Sequence, residues 1–217
     1  MAVSALEDGA NVGIITVESS KEEITTRMVS SKSQVPLHSL KTGLIGNNKL
    51  NQAIESYGWM YSDNLHFYDE PNANIMTVLA QARRMVTAHR VNILFVDYCQ
   101  LIYPANRSMS RVDQVSDVSI KLKQLARDLN IPVICAAQLR RDAENRAPML
   151  SDFADSSQLE KDADIAILIQ HDKDDNSGEV QSYLHMDKHR DGQTASIAVR
   201  FIKETVTFQE DLNANNR

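Results

Sequence analysis

The stretch Val91–Gln100, VNILFVDYCQ, decides the fold. An apolar run from Ile93 to Val96 meets Asp97 and stops. A short apolar run bounded by polar residues predicts a strand buried on both faces, as in a parallel sheet. An Asp at the carboxyl end of such a strand stands where open α/β sheets bind their ligands. A carboxylate there suits Mg²⁺, which takes oxygen donors and is commonly held together with substrate phosphates. This is the chemistry of a Walker B strand. The plainer reading is a polar strand end facing water.

Around this strand the chain alternates. Met1–Asp8 predicts the end of a helix stopping at Gly9. Val12–Val17 (VGIITV) predicts a buried strand followed directly by Glu18. Ser19 or Ser20 can cap the next helix, with Glu22 and Glu23 favourably placed in its first turn. One helix is expected near Asn48–Tyr57, a strand over Leu65–Tyr68 and a helix over Ile75–Ala88. After a polar loop, Val115, Val118, Leu122, Leu125 and Leu129 recur at helical spacing until Asn130 and Pro132. Pro132–Ala137 (PVICAA) predicts another buried strand, closed by Gln138. A polar segment, Arg140–Ser157, precedes a strand over Ile165–Ile169. Ser182–His185, Ala195–Ile202 and Thr205–Glu210 then read as consecutive strands. The expectation is an α/β fold, a mainly parallel twisted sheet flanked by helices, with an antiparallel extension at the C-terminal end. Residues 213–217 read as a flexible tail.

Composition narrows the class. The 217 residues suffice for one full core, with 42% hydrophobic and 24% charged residues. No apolar run is long enough for a membrane helix, and the N-terminus lacks a signal-peptide pattern. Cys99 and Cys135 both lie in or beside apolar strands and read as buried thiols, which fits a reducing cytoplasm. The net charge of −6 excludes a uniformly basic nucleic-acid-binding surface. Any nucleic-acid contact is therefore expected to be local.

If the three strands ending in Glu18, Asp97 and Gln138 are neighbours in one parallel sheet, their polar ends converge on one edge. Glu18 could then orient and deprotonate a water, Asp97 hold Mg²⁺, and Gln138 sense a γ-phosphate. Phosphoryl transfer asks for such positioning and charge neutralisation.

ITVESS, ILFVDYCQLI, DVSIKLKQLARDLNIPVICAAQ, SDFADSSQLEKDADIAILI and DKHRDG, taken in order, resemble the ATPase domain of DnaB-type replicative helicases. These are hexameric motors with a RecA-like fold. The resemblance implies ATP and Mg²⁺ as cofactors. Its implied partners are single-stranded DNA, further copies in a hexameric ring, primase and a helicase loader. It puts the catalytic glutamate on Glu18, the Walker B aspartate on Asp97 and the glutamine coupling nucleotide state to DNA on Gln138. The Lys-x-Arg-x-Gly pattern that reaches a neighbouring subunit's nucleotide falls on Lys188, Arg190 and Gly192. A plainer reading makes Lys188 and Arg190 a solvated strand end, two residues apart and so on one face.

For DNA the candidates are Arg107 and Arg111 in one loop and Arg140, Arg141 and Arg146 in another, with Phe153 as the one nearby aromatic. Where the family commonly has Arg-Glu-Ser-Gly, this chain has Ala154-Asp155-Ser156-Ser157. A phosphate contact from the loop carrying Asp155 is thereby weakened. The phosphate-cradling pattern G-x-x-x-x-G-K-[ST] is missing, and GLIGNNK at Gly43–Lys49 has the wrong spacing and no preceding strand. The expectation is one motor domain over residues 1–212, truncated at its N-terminus and inactive alone. The alternatives are another RecA-like ATPase such as a recombinase, or a ring subunit or inhibitor without a P-loop.

Overall fold

In the computed structural model, residues 1–60, 64–106, 108–141, 146–155, 157–172 and 179–211 are described. Arg107, Ser156, most of the charged turn after His171, and the expected tail lie outside them. The described chain forms two compact units, each assembled from separate segments. The first comprises Met1–Thr25, Tyr57–Gln138 and Phe153–Asp162; the second comprises Thr26–Ser56, Leu139–Asp152 and Ala163–Arg217.

The first unit is built on a parallel sheet of β1 (Val12–Thr16), β2 (Leu65–Asp69), β3 (Ile93–Asp97) and β4 (Val133–Cys135), in the order β2-β1-β3-β4. Every residue of β1 is buried, and the strand is paired on both sides. In β3 only alternate residues are fully buried: Leu94 and Val96 lie inside, and Ile93 and Phe95 are half-buried. The strand was expected to be buried on both faces. Instead its packed face meets the main core, where Ile15, Ile75, Val78, Ala82, Val118, Leu122 and Leu125 gather.

Helices α1 (Ala2–Glu7), α5 (Ile75–His89), α6 (Arg111–Leu129) and α7 (Ser157–Asp162) belong to this unit. Asn74 caps α5 by accepting the Thr77 amide at 3.1 Å, and Ser110 caps α6 by accepting the Asp113 amide at 3.2 Å. Such caps satisfy amides that the first turn leaves without partners. α6 stops where Asn130 turns left-handed, with φ 52°. α5 packs close to the sheet over Gly13: a Cβ at that position would lie 2.9 Å from Leu94 Cδ1, 3.0 Å from Val91 Cγ1 and 3.2 Å from the Met85 sulfur.

The second unit carries an antiparallel sheet of β5 (Ile165–His171), β6 (Glu179–His189), β7 (Ala195–Ile202) and β8 (Thr207–Glu210), in chain order. The antiparallel part is therefore larger than expected. The strand after α7 opens this sheet by pairing with β6, whereas alternation with helices had suggested the parallel sheet. Its alternating pattern, Ile165, Ile167 and Ile169 exposed with Ala166 and Leu168 buried, is that of an antiparallel strand with one covered face. The Leu37 amide donates to the Glu204 carbonyl at 2.7 Å, tying the start of α3 (Leu37–Thr42) to the β7–β8 turn.

α3 was not expected, being short and following Pro36. Gly43 ends it in the left-handed region at φ 73°, and α4 (Asn47–Met60) begins four residues later. GLIGNNK is thus a link between helices. α2 (Lys21–Ser33) and α4 run from one unit into the other. Among the described residues, no helix is long and apolar enough to cross a membrane.

The tight approach of α5 to β1 predicts a cost for Gly13→Ala of about 1–3 kcal/mol, the usual range for overpacking. Urea unfolding measures it. An unchanged midpoint would mean that Leu94 and Val91 yield freely and that Gly13 is not a packing requirement.

Candidate active site

The parallel register brings the strand ends together. Thr16 stands opposite both Asp69 and Asp97, and Val96 stands opposite Cys135. The Val17 amide donates to the Asp97 carbonyl at 3.0 Å, so the pairing continues past the end of β1. Thr16 is fully buried, and its hydroxyl donates to the Ser19 carbonyl at 2.6 Å. The chain turns there and leaves Glu18 exposed at the sheet's carboxyl edge. Asp69, at the end of β2, was not singled out from sequence. It accepts the Lys21 amide at 2.8 Å and so caps α2, a use visible only once β1 and β2 are paired.

Gln138 lies three residues beyond β4, and its main chain is held on both sides. Its amide donates to Gln100 Oε1 at 3.3 Å, and its carbonyl accepts from Gln100 Nε2 at 3.1 Å. The same carbonyl accepts the Ala154 amide at 3.0 Å. The Gln138 side chain is hydrogen-bonded to Tyr98, the residue after Asp97. Burial raises the Tyr98 pKa above its ordinary value. The negative charge of Glu18 adds to the rise, and Arg111 opposes it. Glu18, Arg111, Asp97 and Gln138 all bear on the Tyr98 hydroxyl. No spacing or motif along the chain points to Tyr98 or Gln100.

Cys99 is buried and Cys135 half-buried. A hydrogen bond to Cys99, then burial, holds the Cys135 thiol well above its usual range. A raised thiol pKa marks a poor nucleophile and a poor metal ligand. No group of three or more His, Cys, Asp or Glu side chains gathers to hold a metal ion among the described residues.

A family model described as the DnaB-like helicase C-terminal domain matches residues 1–210. The chain belongs to that family. It is 37% identical over 166 residues to the replicative DNA helicase DnaB of Rickettsia felis, covering 75% of this chain and 34% of the relative. It is also 37% identical over 211 residues to a probable plasmid replicative DNA helicase of Chlamydia psittaci, covering 94% of this chain and 45% of that protein. The chain thus spans between a third and a half of these relatives. A solved DnaB-like replicative helicase, described with its interactions with primase, superimposes with a TM-score of 0.85 at 28% identity, over 95% of this chain and 52% of that one. A solved ATPase domain of another protein gives a TM-score of 0.86 at 27% identity, over 97% of this chain and 78% of its own. The RecA-like architecture expected from the sequence is that of these DnaB-like neighbours.

In this DnaB-like domain, Lys188 and Arg190 belong to the second unit. Lys188 is half-buried and pairs across the ladder with Ala166. β6 begins at Glu179, earlier than expected, and ends at His189. Arg190 therefore stands in the turn beyond it, and the expected same-face strand spacing does not reach it. The Arg190 guanidinium donates to Asp164 Oδ1 at 3.1 Å and its amide to the Asp164 carbonyl at 3.0 Å. The pair is half-exposed, and such pairs contribute about 0–1 kcal/mol. Gly192 meets a different constraint. A Cβ there would run into the His189 ring as it stands, so the turn favours a residue without a side chain at that point.

The basic candidates divide. Arg111 donates to the Gln100 carbonyl at 2.7 Å and to Asp155 at 3.2 Å. Asp155 itself is left-handed, with φ 65°, a conformation that Asp tolerates better than most residues. Arg146 grips the buried Asp152 through two bonds, of 2.7 and 2.6 Å. Arg140 and Arg141 are exposed.

The Arg146 guanidinium and the Met149 amide hold the Asp152 carboxyl at about 2, below its ordinary 3.8. A depressed carboxyl stabilises the fold above its unfolded pKa, and the effect fades as pH falls through the folded value. The stability difference between the wild type and Arg146→Ala should be full above pH 3.8 and shrink toward pH 2. Denaturation midpoints followed across that window check it. A difference independent of pH would show that the pair contributes nothing electrostatic.

Proposed function

We propose that this chain is the ATP-hydrolysing motor segment of a replicative DNA helicase that moves along single-stranded DNA and unwinds duplex, and that it is inactive by itself. The observation that carries the reading is the shared register of β1, β3 and β4, with Glu18, Asp97 and Gln138 at one carboxyl edge. The donor set at that edge fits Mg²⁺, since Asp97 and Glu18 offer carboxylate oxygens. Mg²⁺ with ATP would supply charge neutralisation on the transferring phosphoryl group. Asp97 would hold the metal. Glu18, turned out to solvent, would orient the attacking water and take its proton. Gln138 would contact the γ-phosphate through its side chain. The sequence offers no loop of backbone amides with a lysine to cradle the phosphates, which supports inactivity of these residues alone.

Arg190 and Lys188 would act on a neighbouring copy's nucleotide, and Arg190 would exchange its bond with Asp164 for that contact. Arg140 and Arg141 would follow a single-strand backbone through charge, without reading bases. Arg111, Arg146 and Asp155 would shape the loops around them. Assembly into a ring and docking of primase or a loader belong to the same reading; the solved DnaB-like helicase described with its interactions with primase supports the primase part.

Residues 1–217 should show no measurable ATP hydrolysis, with or without single-stranded DNA. A chimaera with the N-terminal part of the Chlamydia psittaci relative placed before residue 1 should hydrolyse ATP, and Asp97→Asn should abolish this. In the same chimaera Arg190→Ala should reduce turnover by roughly 10³ or more with nucleotide binding kept. Mixing it with Glu18→Gln subunits should restore part of the activity. Asp164→Asn, which removes the negative charge facing Arg190, should leave turnover close to the parent's. Mixed assemblies as inactive as each mutant alone would remove Arg190 as a group acting between copies. A chimaera that binds nucleotide but never hydrolyses it would favour a non-catalytic ring subunit.

A further inference from the structure

Gln100 is 3% exposed, and no requirement of the parallel sheet accounts for a carboxamide there. A buried carboxamide destabilises the fold unless its donors and acceptor find partners. Here the partners are specific. The Gln100 side chain faces the Gln138 main chain as one peptide group faces another in a ladder, donating to its carbonyl at 3.1 Å and accepting its amide at 3.3 Å. Oε1 also accepts the Cys99 thiol at 3.2 Å. β4 has already ended at Cys135, so this side chain extends the β3–β4 pairing to a residue that backbone pairing no longer holds.

The contacts then close into a ring. The Gln138 carbonyl accepts the Ala154 amide at 3.0 Å. The next residue, Asp155, accepts from Arg111 at 3.2 Å. Arg111 returns to the Gln100 carbonyl at 2.7 Å. A displacement of Gln138 therefore breaks its bonds to Gln100 and Ala154 or moves those residues with it. Asp97, three residues before Gln100, fixes one side of this ring to β3.

We propose that Gln100 is a positioning residue: it locks the Gln138 backbone and links it, through Arg111 and Asp155, to the loop entering α7. The proposal rests on the reading of Gln138 as the group that reports nucleotide state. Under that reading Gln100 carries the report toward the DNA-contacting loops. Asn at position 100 is one methylene too short to reach both partners. Glu keeps the acceptor but cannot donate to the Gln138 carbonyl when ionised.

Two arms test it, with Gln100→Glu and the uncharged, similarly shaped Gln100→Met as a second variant should the first not fold. In residues 1–217, amide hydrogen exchange followed by NMR should speed up at Gln138 and Ala154 by tenfold or more. Amides within β1 and β3 should keep their protection. Equal acceleration across the first unit, or none at Gln138, would reduce Gln100 to a satisfied core residue and overturn the proposal. In the chimaera, the kcat reached with single-stranded DNA should fall tenfold or more while KM for ATP stays within twofold. Stimulation by DNA equal to the parent's would overturn the proposal from the functional side. If the parent chimaera hydrolyses no ATP, the proposed function fails, and the exchange arm still decides whether Gln100 positions Gln138.

Discussion

The pairing of β1 with β3 is the constraint on which the first unit depends. Each residue of β1 has a partner on both sides, and one step of register error would send Val12, Ile14 and Thr16 to the wrong face. Gly13 makes the pairing compatible with the close approach of α5. The same register puts Thr16 level with Asp97, and the bond from the Val17 amide to the Asp97 carbonyl carries the alignment one step further. Packing and the placement of the strand ends are therefore fixed by one set of hydrogen bonds. The apolar side chains set the register, and the register delivers the polar strand ends.

The elements of this unit were legible in the sequence because they obey simple periods. ILFV ending in Asp97 gave the strand, and Val115 to Leu129 gave α6 with its stop at Asn130. The strand after α7 was harder. Its run IAILI reads as buried from hydrophobicity alone, yet all three of its isoleucines are exposed in the antiparallel sheet. Composition cannot distinguish an inner parallel strand from an antiparallel edge with an uncovered apolar face. α3 escaped notice because six residues, LHSLKT, are too few to establish a helical period.

The site was partly legible. A strand-end carboxylate stands where an apolar run stops, and the fold places Glu18 and Asp97 beyond or at the ends of β1 and β3, as that pattern predicts. Gln100 and Tyr98 follow no such pattern, because their roles arise from partners 38 and 40 positions away that only the fold brings near. Arginines gave the opposite difficulty. Arg111 and Arg146 looked available for phosphate in the sequence, and the fold occupies both with internal carboxylates, Asp155 and Asp152. Arg190 is likewise engaged, with Asp164, in a half-exposed pair. An arginine in a polar loop says little until its nearest carboxylate is known.

The central claim is that Glu18, Asp97 and Gln138 form one metal- and phosphate-directed edge. Its most direct test is Mn²⁺ titration of ¹⁵N-labelled residues 1–217, with paramagnetic broadening read at each amide. The account predicts that the first signals lost are those of Glu18, Asp97, Tyr98 and Gln138, and that Asp97→Asn delays this loss without affecting other amides. Broadening that begins elsewhere, or that ignores Asp97→Asn, would contradict it.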